Sequence, residues 1–384
     1  MKIKVKPEDF RVKEILVKEL REEGDYEVYL LHKRGTNTLD AIADLARRLR
    51  IRQDQISYCG LKDRHAETWQ FIAIPKGKGK EIRAKNYETI FKGYLNEPLS
   101  PSMLKENRFE IRVREVATPT ELVLAEIEDV QQHGFPNYYD VQRFGSARHG
   151  KGFVAHKIVL GQYKQALRLL LATPSPYDDA KTKAFRKCVK ENWGDWEKCI
   201  HLAPTPWEKK ILEFLSRRQL SKKTLKMCFG MVPPRMVEFL VNSFQSLIWN
   251  RVTAKLVEEE VPPERLIRVR YMYGHFVFYR QTPWNPPCRE LPFPSPRIQL
   301  EPEIADPYNQ VLKELGIEGI DKLRTTVKGW LFKSHRRELK IVPSLQYQNR
   351  WDPEHPGKQI WELEFALPPG TYATILIRRI FWKG

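Results

Sequence analysis

Apolar and polar positions nearly alternate in the first segments of the chain. "FRVKEILV" from Phe10 and "YEVYLLH" from Tyr26 carry β-branched and aromatic residues at close to every second position, the pattern of strands with one buried face. The period changes after Thr38. In "LDAIADLARRLR", Leu39, Ile42, Ala46 and Leu49 recur at helical spacing, with Thr38 expected as the cap. Strand pattern returns in "TWQFIAIP", "TIFKGYL" and "RFEIRVREV". Thr118 and Pro119 then open a second amphipathic helix that Gly134 should end. Up to about residue 148 the pattern predicts an α+β sheet domain.

The middle of the chain is different. Helical spacing dominates from about 153 to 260, over 153–172, 182–193, 206–218 and 234–260. "RVRYMYGHFVFYR" at 268–280 reads as a strand. Seven prolines between Pro283 and Pro302 allow only loop or extended chain. Two short helices fit 307–328. Strand pattern then resumes in "RRELKIVPSLQY" and "QIWELEFALP", followed by a helix-like "TYATILIRRIF". A mixed or antiparallel sheet that starts, pauses for helices and resumes predicts an insertion. Residues 1–148 and 336–384 would form the sheet domain, and 149–335 a mostly helical insertion.

Composition narrows the partner. Lys and Arg total 66 against 48 acidic residues, a formal charge of +18 over 384 residues. Self-repulsion on that scale favours a polyanionic partner, so nucleic acid is expected. No apolar run approaches the roughly 18 residues needed to span a bilayer. "MKIKVKPEDF" has no apolar core of a signal peptide, so a soluble cytoplasmic protein without membrane contact is expected. The five cysteines show no CxxC spacing. Cys188, Cys199 and His201 lack a compact second pair for zinc, so reduced thiols and no metal are expected.

Familiar catalytic motifs mostly fail. "GSARHGKG" (Gly145 to Gly152) imitates a phosphate loop but places Gly152 where Ser or Thr should hold magnesium. HExxH, GxSxG and GxGxxG after a strand are absent from the sequence. "YCGLKDRHAETWQ" (Tyr58 to Gln70) stands out instead, setting Asp63 among Lys62, Arg64 and His65 at the mouth of an apolar strand. Such a tetrapeptide is either a solvated turn or an aspartate kept ionised by nearby cations to act as nucleophile or base.

Five motifs in order favour the second reading. Gly60, Lys62, Asp63, Ala66, Thr68 and Gln70 fit a G-x-K-D-x-x-A-x-T-x-Q pattern. Around it lie "KPEDFRVKE" (Lys6 to Glu14), "NRFEIRVR" (Asn107 to Arg114), "PNYYDVQRFG" (Pro136 to Gly145) and "NSFQSLIWN" (Asn242 to Asn250). Together they resemble the TruD family of tRNA pseudouridine synthases.

The resemblance implies a pseudouridine-synthase-type catalytic domain interrupted by a TRUD insertion domain. It implies an enzyme that isomerises a uridine of tRNA, typically uridine 13 in the D-arm, without metal or other cofactor and as a monomer. An inactive RNA-binding relative, or a synthase for another RNA position, is the alternative. Asp63 would be the essential aspartate and Lys4 the cation that keeps it charged, with Lys6 next in line. Lys62, if the segment is extended, would point away from Asp63. Phe10, Phe109 and Tyr372 would face a flipped uracil. Asn107 would bond its edge or brace the loop, and Arg143 would support structure and RNA contact.

Overall fold

A computed structural model describes residues 1–147 and 149–383. It divides into two compact units, Met1–Gly134 with Val342–Gly384, and Phe135–Ile341.

The alternating segments form the first unit's sheet. Strand β1 (Phe10–Leu16) buries Phe10, Val12 and Glu14, while β2 (Tyr26–Arg34) buries Tyr29, Leu31 and Lys33 at the same spacing. Helix α1 (Thr38–Leu49) presents Ala41, Ile42, Leu45 and Ala46 to Tyr29, Leu31, Ile72 and Ile74. Each large aliphatic side chain sealed there contributes about 1.5–3 kcal/mol. The short β3 (Ser57–Tyr58) precedes β4 (Glu67–Pro75), β5 (Tyr87–Leu95) and the long β6 (Leu104–Val116). Helix α2 (Thr120–His133) follows Pro119 and stops at Gly134, whose φ of +78° suits a residue without Cβ.

The second unit begins with β7 (Phe135–Pro136) and continues mainly as helix. Its helices are α3 (Val154–Val159), α4 (Tyr163–Leu171), α5 (Ala180–Glu191), α6 (Glu197–Ile200), α7 (Pro206–Ser216), α8 (Lys222–Phe229) and the long α9 (Pro234–Glu260). After these come β8 (Leu266–Tyr271), β9 (Gly274–Tyr279), β10 (Glu290–Pro292), α10 (Pro302–Glu314), β11 (Arg336–Glu338) and β12 (Lys340–Ile341). The chain then returns to the first unit through β13 (Leu345–Trp351), β14 (Gln359–Leu367) and α11 (Ala373–Ile380).

The main sheet has the order β13-β14-β6-β1-β4-β2-β5, with β3 added to β4. Only the β1–β4 pairing is parallel. This is the expected α+β architecture, a mixed sheet interrupted by a mostly helical segment.

Several details differ from the sequence pattern. The 153–172 helix breaks between α3 and α4 at Gly161, where φ is +70°. The 268–280 strand is a hairpin, β8 with β9. The units divide at 134 and 342, where pattern placed the limits at 148 and 336; residue 148 itself lies outside the described residues. Residues 135–147 belong with α9 because Tyr139 and Asn250 exchange two hydrogen bonds, at 2.9 and 2.8 Å, and Ser146 bonds Ser243 at 2.7 Å. Pairing of β12 with β7 brings 340–341 to the same unit. The thiols also need correction. Cys188 on α5 and Cys199 on α6 form a disulfide, because the turn between these helices brings their Cα atoms within 5.8 Å. Cys59, Cys228 and Cys288 are free.

Candidate active site

Asp63 lies in the loop from β3 to β4, and that loop is braced from several sides. The Thr38 hydroxyl accepts from the Lys62 amide at 3.0 Å and donates to Gln70 Oε1 at 2.8 Å, while Gln70 Nε2 donates to the Gly60 carbonyl at 3.2 Å. Thr38 therefore does not cap α1 through its side chain. The cap position falls to Asn37, and the Thr38 hydroxyl serves the loop.

Lys62 points away from Asp63, as its neighbouring position in an extended segment suggested. Its Nζ donates to Asn107 Oδ1 at 2.6 Å and lies 2.8 Å from Glu14 Oε1, an ion pair without hydrogen-bond alignment. Glu14 sits opposite Asn107 in the β1–β6 register, and its other oxygen accepts from the Phe71 amide at 2.8 Å. Asn107 thus braces the loop through Lys62.

The cation beside Asp63 is Lys4. Its Nζ forms a hydrogen-bonded ion pair with Asp63 Oδ2, and it lies 4.2 Å from the centroid of the Phe10 ring. Two anchors fix the segment that carries Lys4. Lys2 exchanges 2.8 Å backbone hydrogen bonds with Arg114, and buried Asp9 accepts from Arg114 Nε at 2.9 Å, Arg114 Nη2 at 2.7 Å and the Lys6 amide at 3.0 Å. Between them Lys4 adopts φ +59°, a left-handed conformation that a lysine holds only when its surroundings impose it. Lys6, the second candidate, is exposed, and it joins this network through its backbone, the amide donating to the Asp9 carboxylate and the carbonyl accepting from the Asp9 amide at 3.0 Å.

Electrostatics follow from these contacts. Burial pushes the Asp63 carboxyl up, but the Lys4 charge, the Lys4 hydrogen bond and the His65 amide at 3.0 Å more than offset it. The net shift is downward, so Asp63 is ionised at neutral pH. Cys59 is no competing nucleophile, since burial and then the Glu14 charge push its thiol up to about 12.

Buried aromatic rings adjoin the pair. Phe10 meets Phe109 edge to face at 6.1 Å, and Phe109 stacks on Phe365 at 5.4 Å. Phe365 was not singled out in the sequence, although it alternates with Leu363 on the buried face of β14 and pairs directly with Phe109. Tyr372 stands half-buried at the cap of α11. Arg143 lies in the second unit, where its Nε bonds Ser246 Oγ at 3.2 Å and its guanidinium lies 5.4 Å from the centroid of the Tyr139 ring. Structure therefore gathers Asp63, Lys4, Phe10, Phe109 and Asn107 in one unit.

Asp63 and its partner Lys4 thus lie beside the Phe10 ring, on the loop that opens K-D-x-x-A-x-T-x-Q. The family model described as tRNA pseudouridine synthase D (TruD) matches residues 1–278. The chain belongs to the TruD family. Among named relatives, the probable tRNA pseudouridine synthase D 1 of Methanococcus maripaludis is 32% identical, with 99% of each chain covered. The tRNA pseudouridine synthase D of Aquifex aeolicus is 28% identical over 99% of this chain and 98% of the relative. A crystal structure of a Methanosarcina mazei protein assigned to TruD superposes with a TM-score of 0.72 at 26% identity, covering 99% of this chain and 93% of that one. The TruD match spans Lys4, Asp63 and Asn107, while Phe365 and Tyr372 lie beyond it in sequence.

Proposed function

We propose that this protein isomerises a uridine of tRNA to pseudouridine, with Asp63 as the essential carboxylate. In that reaction the bond from ribose C1′ to uracil N1 breaks, the base turns, and a bond from C1′ to C5 forms. The proton on C5 leaves to a base and N1 gains one, so the product is an isomer of the substrate. Asp63 opens the sequence as nucleophile or as base, and both roles need its negative charge.

The observation that carries this reading is the Lys4–Asp63 pair, which keeps a half-buried carboxylate ionised next to aromatic rings. Once RNA closes over the loop, desolvation would favour the neutral acid, and Lys4 opposes that. Phe10 and Phe109, both buried in this structure, are the rings that face the flipped uracil, and Tyr372 contacts the base or a phosphate. Asn107 holds Lys62, and through it the loop. Arg143 adds an RNA contact from the second unit, the TRUD insertion, which influences the choice of RNA. The formal charge of +18 suits the polyanionic substrate. The target is uridine 13 of the D-arm, and the reaction uses no metal or other cofactor.

The test is incubation with an unmodified tRNA transcript, followed by carbodiimide mapping of pseudouridine. New pseudouridine at position 13 is expected. Modification elsewhere would correct the position, and tight binding with no pseudouridine would identify an RNA-binding protein.

A further inference from the structure

Lys33 is the buried charge that the chemistry above leaves unused. It sits near the end of β2, opposite Thr68 in the β2–β4 register, on the face that carries Tyr29 and Leu31 into the core. Its exposure is 0%. Lysine is almost never sealed in this way without a partner. Among the described residues, however, Lys33 Nζ forms no ion pair within 4 Å of a carboxylate. It donates to two main-chain carbonyls instead, Thr36 at 3.0 Å and Asp63 at 2.8 Å.

We propose that Lys33 is a positioning residue for Asp63, tying the backbone of the reactive aspartate to the β2–α1 turn and adding its positive charge to the field around the carboxylate. This inference rests on the reading of Asp63 given above.

The geometry separates three tasks among three lysines. Lys4 reaches the Asp63 carboxylate from the N-terminal segment. Lys62 turns to Glu14 and Asn107. Lys33 bonds the Asp63 carbonyl from beneath the loop. A surface lysine would lose little by letting go of a carbonyl, because water replaces it. A sealed one would be left with an unpaired ammonium, a far larger penalty, so the tie resists opening. The same tie fixes the peptide unit from which the Asp63 side chain departs. Reactions of this kind lose rate steeply when a reacting group moves by an ångström.

Charge gives the proposal a signature that plain packing lacks. The charged groups acting on Lys33 are Asp63 and Lys62. Burial pushes the Lys33 ammonium down to about 8, Asp63 opposes that and Lys62 adds to it. Lys33 is therefore a cation below about pH 8 and loses its charge as pH rises through that value.

The experiment compares wild type, Lys33→Met and Lys33→Gln in the full-length protein, on tRNA that the wild type converts. Single-turnover rate at saturating enzyme, tRNA binding and melting temperature are followed across about pH 6–9.5, a range that brackets the buried lysine's titration and the ordinary lysine range. Methionine keeps the length and removes both hydrogen bond and charge; glutamine keeps a neutral donor. We expect Lys33→Met to be slower by about 10–100-fold at neutral pH, the effect of losing a charge-assisted hydrogen bond. Lys33→Gln should fall between, and tRNA binding should stay within about threefold, a change below 1 kcal/mol. The deficit of Lys33→Met should shrink as pH rises through about 8, where the wild type loses the same charge.

A folded Lys33→Met with wild-type rate would overturn the proposal. So would a deficit constant across the whole pH range, or loss of binding in parallel with rate. If neither variant folds, Lys33 is a core residue and the positioning role is withdrawn. A wild type that makes no pseudouridine would instead refute the assigned reaction, a result distinct from all of these.

Discussion

Lys4 reaches the Asp63 carboxylate from a backbone held at φ +59°, between the Lys2–Arg114 bridge and the Asp9–Arg114 ion pair. An ammonium on a flexible stem is thus delivered by a segment with little freedom. The position of the cation depends on residues that never touch the carboxylate.

Lys4→Met should separate electrostatics from packing. The Asp63 carboxyl is held low because Lys4 outweighs burial; without Lys4, burial pushes it up. The variant should therefore lose most activity at low pH and recover part of it as pH rises, seen in single-turnover rates over about pH 5–9. A depressed carboxylate contributes stability above its unfolded value and loses it as pH falls through the folded value. The stability advantage of the wild type over Lys4→Met should accordingly be full in melts above about pH 5 and shrink as pH falls below about 4. An unchanged pH–rate profile would remove Lys4 from the site.

Asp9→Asn tests the anchor. Buried Asp9 is pushed up by desolvation, yet Arg114 and the Lys6 amide bring it below its usual range. Its loss should cost about 1.5–3 kcal/mol, the scale of a hydrogen bond to a charged group. Rate should fall through a misplaced Lys4 while tRNA binding changes little. Denaturant melts together with single-turnover rates check both parts.

The disulfide is open to direct counting. Alkylation of unfolded but unreduced protein should label three thiols, Cys59, Cys228 and Cys288, and labelling after reduction should reach five. Replacing Cys188 and Cys199 by Ser should lower stability by about 3 kcal/mol, the loop-closure value for a ring of this length. Five labels before reduction would mean that the bond is not formed.

Long, well-punctuated elements were legible in the sequence. Helix α9 runs over the residues its spacing marked, opened by proline in its first turn, and α2 lies between Pro119 and Gly134. The hairpin of β8 and β9 was not legible, because the Tyr271-Met-Tyr-Gly274 turn lacks an Asn-Gly or Asp-Gly signal and its flanks are equally aromatic. At the site, the Asp63 loop and its N-terminal cation were visible through motif order. Lys33 and Phe365 were missed because each reads as an ordinary member of a strand. The available signal was parity, which puts Lys33 on the buried face with Tyr29 and Leu31. The disulfide escaped because an 11-residue separation between two cysteines says nothing about the turn that closes it.

The most direct test of the central claim is Asp63→Asn at single turnover on a tRNA that the wild type converts. Asparagine keeps the size and the hydrogen-bonding oxygen but removes the charge that Lys4 holds in place. We expect a folded protein that binds tRNA within about threefold of wild type, a difference below 1 kcal/mol, and produces no pseudouridine at any pH. Pseudouridine formed by Asp63→Asn at a rate near that of the wild type would contradict the account.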